Sequence, residues 1–420
     1  MSTVAPRPGP ACRVAFADVL GEGAYRRLWL SGLCLNSARW MDLVSLGWLA
    51  FELTGSPFMV GLAAFVRSAP MMALGPFAGV VADRVPRARV LLLTHSLGVG
   101  TGLALAGLFA AGWGRYGPLV GLAALFGVLW ALDFPARRTA LYALVGPGRV
   151  AAAVSLETVS MQIAKMTGPV LAGVGLAKLG PAPVFAAVAF LYALGLLASR
   201  GLAPRIGQPA PAPGASLGAS LGAGFDAAWR DPTVRGVLLI TVLMNVLFFP
   251  YQHMLPVFAH EVLAAGPEWL GALVAADGLG ALVGALLIAS RGGFIPHRRV
   301  FATAVLVAPV LLVLLAGARW RWACLSLLVL MGAAESGFAA MQSTLVLLGA
   351  PEALRGGAMG ILSACIGTQP LGTLWIGFLA GVAGAPVAMA VNGAASLLLI
   401  VPVAVPLARL PMRAPGGPPR

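Results

Sequence analysis

Long apolar runs recur along almost the whole of this 420-residue chain, and they restrict its fold more than any other feature. A helix needs about 20 apolar residues to cross a bilayer core of about 30 Å. With 59% hydrophobic and 10% charged residues and a mean hydropathy of +0.91, the chain lacks the composition of a soluble globular protein. The sequence therefore predicts an all-α membrane protein with twelve transmembrane helices.

The twelve predicted spans are separated by short turns rich in Gly, Pro and Arg. They cover residues 28–51, 57–82, 89–111, 118–137, 150–177, 182–201, 234–259, 267–290, 299–317, 322–345, 356–380 and 385–408. The fourth span contains Asp133-Phe-Pro135, and this proline could end the helix early. The stretches outside the spans are too short for a separate soluble domain.

A polar connection rich in Pro and Ala, residues 203–233, divides the spans into six and six, as a linker between two repeats does. The predicted domains are a cytoplasmic N-terminal tail (1–27), a six-helix bundle (28–202), the cytoplasmic linker (203–233), a second six-helix bundle (234–408) and a cytoplasmic C-terminal tail (409–420). We treat the two bundles as pseudo-repeats.

The net charge of +14 marks topology and does not indicate a nucleic-acid partner, because the basic residues lie in short turns between apolar runs. With both termini inside, most of the 28 Lys and Arg residues fall in inner segments, and four fall in outer turns: Arg115, Lys178, Arg319 and Arg321. We therefore expect a multi-pass protein of a bacterial plasma (inner) membrane with both termini cytoplasmic. Its non-protein partner is the lipid bilayer.

A basic hairpin joins the second and third spans. The chain there reads Gly75-Pro-Phe-Ala-Gly-Val-Val-Ala-Asp-Arg-Val-Pro-Arg-Ala-Arg-Val90. Pro86 ends the helix, and the arginines hold the turn in water on the cytoplasmic side. The pattern Gly-x-x-x-Asp-Arg-x-x-Arg between two membrane-length runs resembles the signature of the major facilitator superfamily.

The resemblance implies the major facilitator fold, in which two six-helix bundles rock about a central cavity. It also implies a cytoplasmic latch in which Asp83 caps the start of the eleventh span. The residues of this expected latch are Gly79, Asp83, Arg84, Arg87, Arg137 or Arg138, and Arg355. Two departures make a symmetric latch doubtful: Pro86 replaces the usual glycine of the family, and Arg291 replaces an acid in the second copy.

Further motifs resemble one branch of this superfamily, that of the enterobactin exporter and the macrolide-efflux-type transmembrane secretion effectors. They include Tyr25-Arg-Arg-Leu-Trp29, Trp40-Met-Asp-Leu-Val-Ser-Leu-Gly-Trp48 and Leu354-Arg-Gly-Gly357. The fifth span contains Gly168-Pro169-Val-Leu-Ala-Gly173, which resembles a helix-packing element of exporters. Plain helix packing is the alternative interpretation, since small residues let any two helices approach closely.

Charged residues inside membrane spans are costly, so each is a functional candidate. The basic ones are Arg39, Arg67 and Lys165, and the acidic ones are Asp42, Asp277 and Glu335, with Asp133 and Glu157 at shallower positions. Arg39 and Asp42 lie three residues apart on one helix face and could form a structural ion pair. In general, a carboxyl group buried without a cation titrates closer to neutral pH. Asp42, Asp277 or Glu335 is therefore the candidate for proton coupling.

Aromatic and amide side chains could line a substrate cavity, although membrane-interface anchoring is the alternative for most. They are Trp40, Trp48, Trp130, Asn245, Phe248, Phe249, Tyr251, Gln252, His253, Gln342, Gln369 and Asn392. His95, His260 and His297 lie near span ends, where we expect them to be solvated.

The sequence predicts a secondary active transporter and not an enzyme, with no catalytic residue, cofactor or metal site. The leading hypothesis is proton-coupled efflux of a hydrophobic or siderophore-like small molecule by a monomer, through alternating access. The alternatives are a proton-coupled metabolite importer and a non-transporting membrane sensor or scaffold.

Overall fold

The chain is described by a computed structural model that covers residues 18–146, 149–202, 229, 231–291, 297–350 and 355–409, with the side chains of 74–84, 151, 291, 355 and 356 left out. The described residues form helices and no strand. We number them α1 (Gly23–Thr54), α2 (Pro57–Arg84), α3 (Arg87–Ala110), α4 (Tyr116–Val145), α5 (Val150–Leu179), α6 (Pro181–Ser199), α7 (Pro232–Val262), α8 (Pro267–Arg291), α9 (His297–Gly317), α10 (Arg321–Gly349), α11 (Arg355–Ile366 and Gln369–Ala383) and α12 (Ala385–Arg409).

Nine helices in the described part of the chain are long and apolar enough to cross a membrane, and Pro57–Ala73 of α2 is a shorter apolar helix. Large apolar side chains point outwards: Phe190 is 62% exposed, Val382 73% and Leu398 75%. Lipid solvates such side chains, and helices satisfy the backbone hydrogen bonds that lipid cannot. The prediction of an all-α membrane fold is confirmed. The count of twelve spans agrees with these helices and stays a prediction.

The described helices extend beyond several predicted spans. α1 begins at Gly23, and the residues around its start are packed inside the protein, with Val19 0% and Tyr25 1% exposed. The Tyr25 hydroxyl donates to the carbonyl oxygen of Ala153 in α5 at 2.9 Å. α1 ends at Thr54, where Gly55 takes a φ of +61° that an L side chain disfavours and donates its N–H to Phe51.

Two prolines have different effects on helix length. Pro86 directly precedes α3, and α2 ends at Arg84, so this proline separates the two helices as the sequence predicts. Pro135 lies inside α4, which runs on to Val145. The early end considered for the fourth span therefore does not occur. A membrane-embedded helix tolerates an internal proline because neighbouring helices and hydroxyl side chains compensate for the lost hydrogen bond.

The chain divides into two compact units. The first contains Met1–Gly55, Val66–Pro213 and Ala265–Ala275, and the second contains Ser56–Phe65, Gly214–Ala264 and Ala276–Arg420. The beginning of α2 thus belongs to the second unit, and the beginning of α8 belongs to the first.

In the first unit α1 packs against α4, α5 and α6, and α3 packs against α4 and α6. Small residues permit the close approach of α3 to α6, because a Cβ on Gly102 would lie 2.9 Å from the backbone of Ala189. The same packing brings the buried rings of Phe126 and Tyr192 to a centroid distance of 5.5 Å. These contacts fix the rotation of each helix and hence the direction of its polar side chains.

In the second unit α9 packs against α10 and α12, and α7 packs against α10 and α12. The beginning of α2 joins this unit through Gly61, where a Cβ would lie 2.6 Å from Cα of Gly377 in α11. Asp231 caps α7 by accepting hydrogen bonds from the N–H groups of Thr233 and Val234 at 2.8 and 3.1 Å.

Candidate functional site

A buried ion pair joins α1 to α2 in the first unit. Nε of Arg67 lies 2.7 Å from Oδ2 of Asp42, and the two side chains are 9% and 2% exposed. α4 passes close to this point because Gly127 leaves room for the carbonyl oxygen of Arg67. The direct ion-pair contact of Asp42 is thus with Arg67, a cation from another helix, and not with Arg39, with which it could have paired.

The guanidinium group of Arg39 instead stacks on indole rings. Its central carbon lies 3.9 Å from the ring centroid of Trp130 in α4 and 5.9 Å from that of Trp40. The amino group of Lys165 in α5 lies 5.5 Å from the Trp40 ring. Cations attract the electron-rich faces of aromatic rings. Arg39, Trp40, Trp130 and Lys165 therefore form one cluster, here called the Arg39 cluster, built from α1, α4 and α5.

A second buried ion pair lies within α4. Arg137 donates through Nε to Oδ2 of Asp133 at 2.8 Å, and through its terminal nitrogens to the carbonyl oxygen of Leu28 at 3.0 Å and the hydroxyl of Ser31 at 3.2 Å. Both charged side chains are almost fully buried. Arg137, a candidate for the latch, thus joins α4 to α1 inside the first unit.

His95 in α3 is fully buried, so the expectation that it is solvated is wrong. Its Nδ1 lies 2.7 Å from the carbonyl oxygen of Leu91, an acceptor, so this nitrogen bears the proton. Nε2 then accepts a hydrogen bond from Ser31 at 3.2 Å, while Ser31 itself accepts from Arg137 and from Ser199. Ser31 uses its single proton and its lone pairs in this way, and α1, α3, α4 and α6 share one network.

Sequence reasoning missed Ser31 and Ser199, because a hydroxyl in a membrane helix commonly bonds to its own backbone. The sequence signal for these two serines was weak, because each is only a polar residue on the buried face of an apolar helix. His260 is exposed and His297 is partly exposed, as expected for residues near span ends.

The remaining latch residues are only partly described. The side chains of Gly79, Asp83, Arg84 and Arg355 lie outside the described residues, although α2 ends at Arg84 and α11 begins at Arg355. Arg138 lies 3.8 Å from Glu157, and its side chain is 38% exposed. Nε of Arg87 is enclosed and has no hydrogen-bond acceptor among the described residues. The latch therefore stays a prediction.

The acidic candidates of the second unit lie on α8 and α10, two helices whose backbones touch. Asp277 is 1% exposed and Glu335 6% exposed. A Cβ on Gly332 would clash with the carbonyl oxygen of Asp277, so the two backbones touch there, one helical turn from Glu335. Gly280 and Gly284 of α8 make equally close contacts with α10. Glycine packing thus brings the helices that carry Asp277 and Glu335 into backbone contact.

Tyr251 of α7 completes this acidic group. Its hydroxyl donates to Oε1 of Glu335 at 2.9 Å, and the tyrosine is fully buried. α7 is irregular on both sides of it, with π-helical turns at Met244–Phe248 and Phe258–Val262. π-helical turns often occur at functional sites. The sequence indicated such irregularity only through Pro250 and Pro256. Asp277, Glu335 and Tyr251 are called the acidic group below.

Other amide side chains considered for a cavity have structural contacts. Gln342 donates to the hydroxyl of Thr241 at 2.6 Å, and Asn245 donates to the carbonyl oxygen of the same threonine at 2.9 Å. Asn392 accepts a hydrogen bond from Trp375 at 3.2 Å. These bonds join α7 to α10 and α11 to α12.

The Gly168-Pro169-Gly173 element lies at close helix contacts on two sides of α5. A Cβ on Gly168 would lie 2.9 Å from Cβ of Trp40 in α1, and a Cβ on Gly173 would clash with the carbonyl oxygen of Pro267 at the start of α8. Gly271 of α8 is equally close to the carbonyl oxygen of Pro169. The element therefore lets α5 touch both neighbours backbone to backbone.

The described helices form a multi-pass membrane fold that solved transporter structures share. A solved structure of a POT family transporter in complex with 5-aminolevulinic acid superposes with a TM-score of 0.76 at 13% identity, covering 92% of this chain and 96% of that one. Residues 15–415 match the model of a family described as transmembrane secretion effector. The chain belongs to this family of transporters, a branch of the major facilitator superfamily.

Three curated relatives illustrate the family. An uncharacterised MFS-type transporter of Sinorhizobium fredii, y4rN, is 30% identical over 59% of this chain and 61% of its own length. The multidrug efflux pump Tap of Mycolicibacterium fortuitum is 25% identical over 93% of this chain and 97% of its own length. The enterobactin exporter EntS of Shigella boydii is 29% identical over 86% of this chain and 88% of its own length. The match to the Sinorhizobium protein thus spans about three fifths of its length.

Proposed function

We propose that the protein is a proton-coupled exporter of a hydrophobic or siderophore-like small molecule. The observation that best supports this proposal is the 2.9 Å hydrogen bond from Tyr251 to Glu335 inside the second unit. A hydroxyl group hydrogen-bonds to a carboxylate and also to a protonated carboxyl group. Glu335 can therefore gain and lose a proton while the contact to Tyr251 persists.

The three candidate carboxylates differ in this respect. Protonation of Asp42 would break its ion pair with Arg67 and leave a buried cation without its partner. Glu335 and Asp277 lie instead at one glycine-lined contact between α8 and α10. The hydroxyl of Tyr251 can remain hydrogen-bonded to Glu335 whether or not this carboxyl group carries a proton. We therefore assign proton coupling to the acidic group.

Export, as opposed to import, is supported by relatives and by packing. Two relatives that align with most of the chain are named as an efflux pump and an exporter. The glycines at 168 and 173 make the close contacts expected of an exporter element that seals the helices against leakage.

The test uses everted membrane vesicles with an acidified lumen, in which export appears as uptake. The probes are three matched pairs: the sulfonate and the sulfonamide of benzene, naphthalene and pyrene. We expect uptake of at least one probe, its loss when a protonophore collapses the gradient, and no gradient dependence in Glu335→Gln. Glu52→Gln is the matched control, since Glu52 is an exposed residue near the end of α1.

Each alternative has its own outcome in this assay. Proton-driven movement only out of the everted vesicles would identify an importer. Binding of a probe without any coupled proton movement would favour a sensor or scaffold. Gradient-dependent uptake by Glu335→Gln equal to wild type would reject the acidic group as the coupling site.

The proposal also includes the orientation, the oligomeric state and the latch. Both termini lie in the cytoplasm, the protein works as a monomer in the inner membrane, and Asp83 stabilises one of the two transport states from the N-terminus of α11. Single cysteines in 208–214 and 112–118 should react with a membrane-impermeant reagent from opposite sides. Asp83→Asn should slow uptake in the vesicle assay without reducing the amount of protein in the membrane.

A further inference from the structure

The Arg39 cluster contains a cation that makes no ion-pair or hydrogen-bond contact with a carboxylate of the described residues. The ion pairs of the described residues join Arg67 to Asp42, Arg137 to Asp133, Arg138 to Glu157 and Arg149 to Glu22. Arg39 is in none of them, and its Nε is enclosed without a hydrogen-bond acceptor. Its described contacts are the indole faces of Trp130 and Trp40. The terminal nitrogens of Arg39 thus retain the capacity to donate hydrogen bonds to an anion.

The carboxylate nearest in sequence has its direct contact with another cation. Asp42 lies one turn along α1, yet its Oδ2 accepts from Arg67 at 2.7 Å, and both members of that pair are sealed from solvent. The ion pair with Arg67 therefore fixes the Asp42 side chain at the contact between α1 and α2. Lys165, 5.5 Å from the Trp40 ring, adds a second positive charge to the same cluster.

The location of Arg39 restricts what it can face. It lies midway along α1, and its side chain is partly exposed, as are those of Trp40 and Trp130. A guanidinium group midway along a membrane helix is costly in contact with lipid, so such residues face the interior of the helix bundle or a water-filled cavity. The partly exposed side of the cluster is therefore a surface that a dissolved molecule can reach.

We propose that the Arg39 cluster binds an anionic group on an aromatic substrate. The planar guanidinium of Arg39 donates a pair of hydrogen bonds to a carboxylate, sulfonate or phosphate group. Trp40 and Trp130 offer ring faces for the apolar part of the same molecule. This inference rests on the proposed transport function in one respect, because the bound molecule is the one transported.

The test is equilibrium binding to the purified full-length protein in detergent, without any proton gradient. Isothermal titration calorimetry with the three sulfonate and sulfonamide pairs compares molecules that differ in charge at the same size. We expect the wild type to bind at least one sulfonate about tenfold more tightly than its sulfonamide, the effect of one charged hydrogen-bonded contact. Arg39→Gln should reduce this ratio to about one without weakening sulfonamide binding.

Two further variants separate charge recognition from folding. Arg39→Lys retains the positive charge but loses the planar guanidinium group. Its ratio of sulfonate to sulfonamide affinity should therefore fall between those of the wild type and Arg39→Gln. Arg115→Gln, in the exposed turn before α4, is the matched control and should keep the wild-type ratio. If Arg39→Gln is not recovered as a monodisperse protein, Arg39→Lys decides: a reduced ratio supports the site, and an unchanged ratio overturns it.

The inference is overturned if wild type prefers none of the sulfonates, or if Arg39→Gln retains the preference. Either result leaves the gradient-driven uptake of the vesicle assay intact and rejects only the anion site. Conversely, loss of proton coupling in that assay with the sulfonate preference preserved rejects only the proposed function of the acidic group.

Discussion

Arg67 binds Asp42 at 2.7 Å across α1 and α2, so the direct ion-pair contact of Asp42 is made with another helix and not with Arg39 of its own helix. One buried contact therefore sets two properties of the first unit. It gives the intramembrane carboxylate a fixed cation, and it leaves the guanidinium of Arg39 to stack on the indole rings of Trp40 and Trp130.

The ion pair itself gives the first prediction. Arg67→Gln should lower the free energy of unfolding by about 3–5 kcal/mol, because it leaves the Asp42 carboxylate buried without its cation. Thermal denaturation of the purified protein in detergent measures the effect. The double variant with Asp42→Asn should recover much of the loss, since no charge then remains unpaired. A double variant as unstable as Arg67→Gln would contradict this account of the pair.

The acidic group gives the second prediction, which concerns Tyr251. Tyr251→Phe removes the hydroxyl that donates to Glu335 and should destabilise the protein by about 1–3 kcal/mol, the contribution of a buried hydrogen bond to a carboxyl group. Glu335→Gln keeps an oxygen that accepts from Tyr251, so its stability should change by less than about 1 kcal/mol. Chemical denaturation of both variants checks the difference. Equal stability of Tyr251→Phe and wild type would show that this hydrogen bond contributes little.

The network around His95 gives the third prediction. Ser31→Ala removes a hydroxyl that accepts from Arg137 and Ser199 and donates to His95, so we expect a loss of about 2–3 kcal/mol. Ser199→Ala removes one donor at the edge of the network and should cost about 1 kcal/mol. Melting temperatures of the two purified variants provide the comparison. The hub role of Ser31 fails if Ser199→Ala is the more damaging change.

The glycine contacts of α5 give the fourth prediction. Gly173→Ala places a methyl group against the carbonyl oxygen of Pro267 and should cost about 1–3 kcal/mol through overpacking. Gly107→Ala is the control, because a Cβ on Gly107 meets no atom within 4 Å. Thermal stability and dye leakage from proteoliposomes are both measured. Leakage in Gly173→Ala at unchanged stability would support the sealing role. If this variant showed neither leakage nor a loss of stability, the result would contradict the close contact.

Local features of the sequence predicted the helices well. The recurring apolar runs identified the membrane spans, and Pro86 identified the boundary between α2 and α3. The same reasoning found the intramembrane charges that the structure places in buried pairs and clusters. These features depend on hydrophobicity and backbone geometry summed over a short segment, which the residues of that segment determine by themselves.

The partners of those charges were decided by tertiary structure alone. Helical spacing suggested Arg39 as the partner of Asp42, but the partner in the structure is Arg67 of α2. His95 was expected to be solvated near a span end, and it is buried beside Ser31. Each outcome depends on how far two helices are rotated and how closely they approach. Distant small residues such as Gly127 and Gly332 determine that approach. The segment that contains a polar side chain therefore fixes its depth in the membrane, and the neighbouring helices fix its partner.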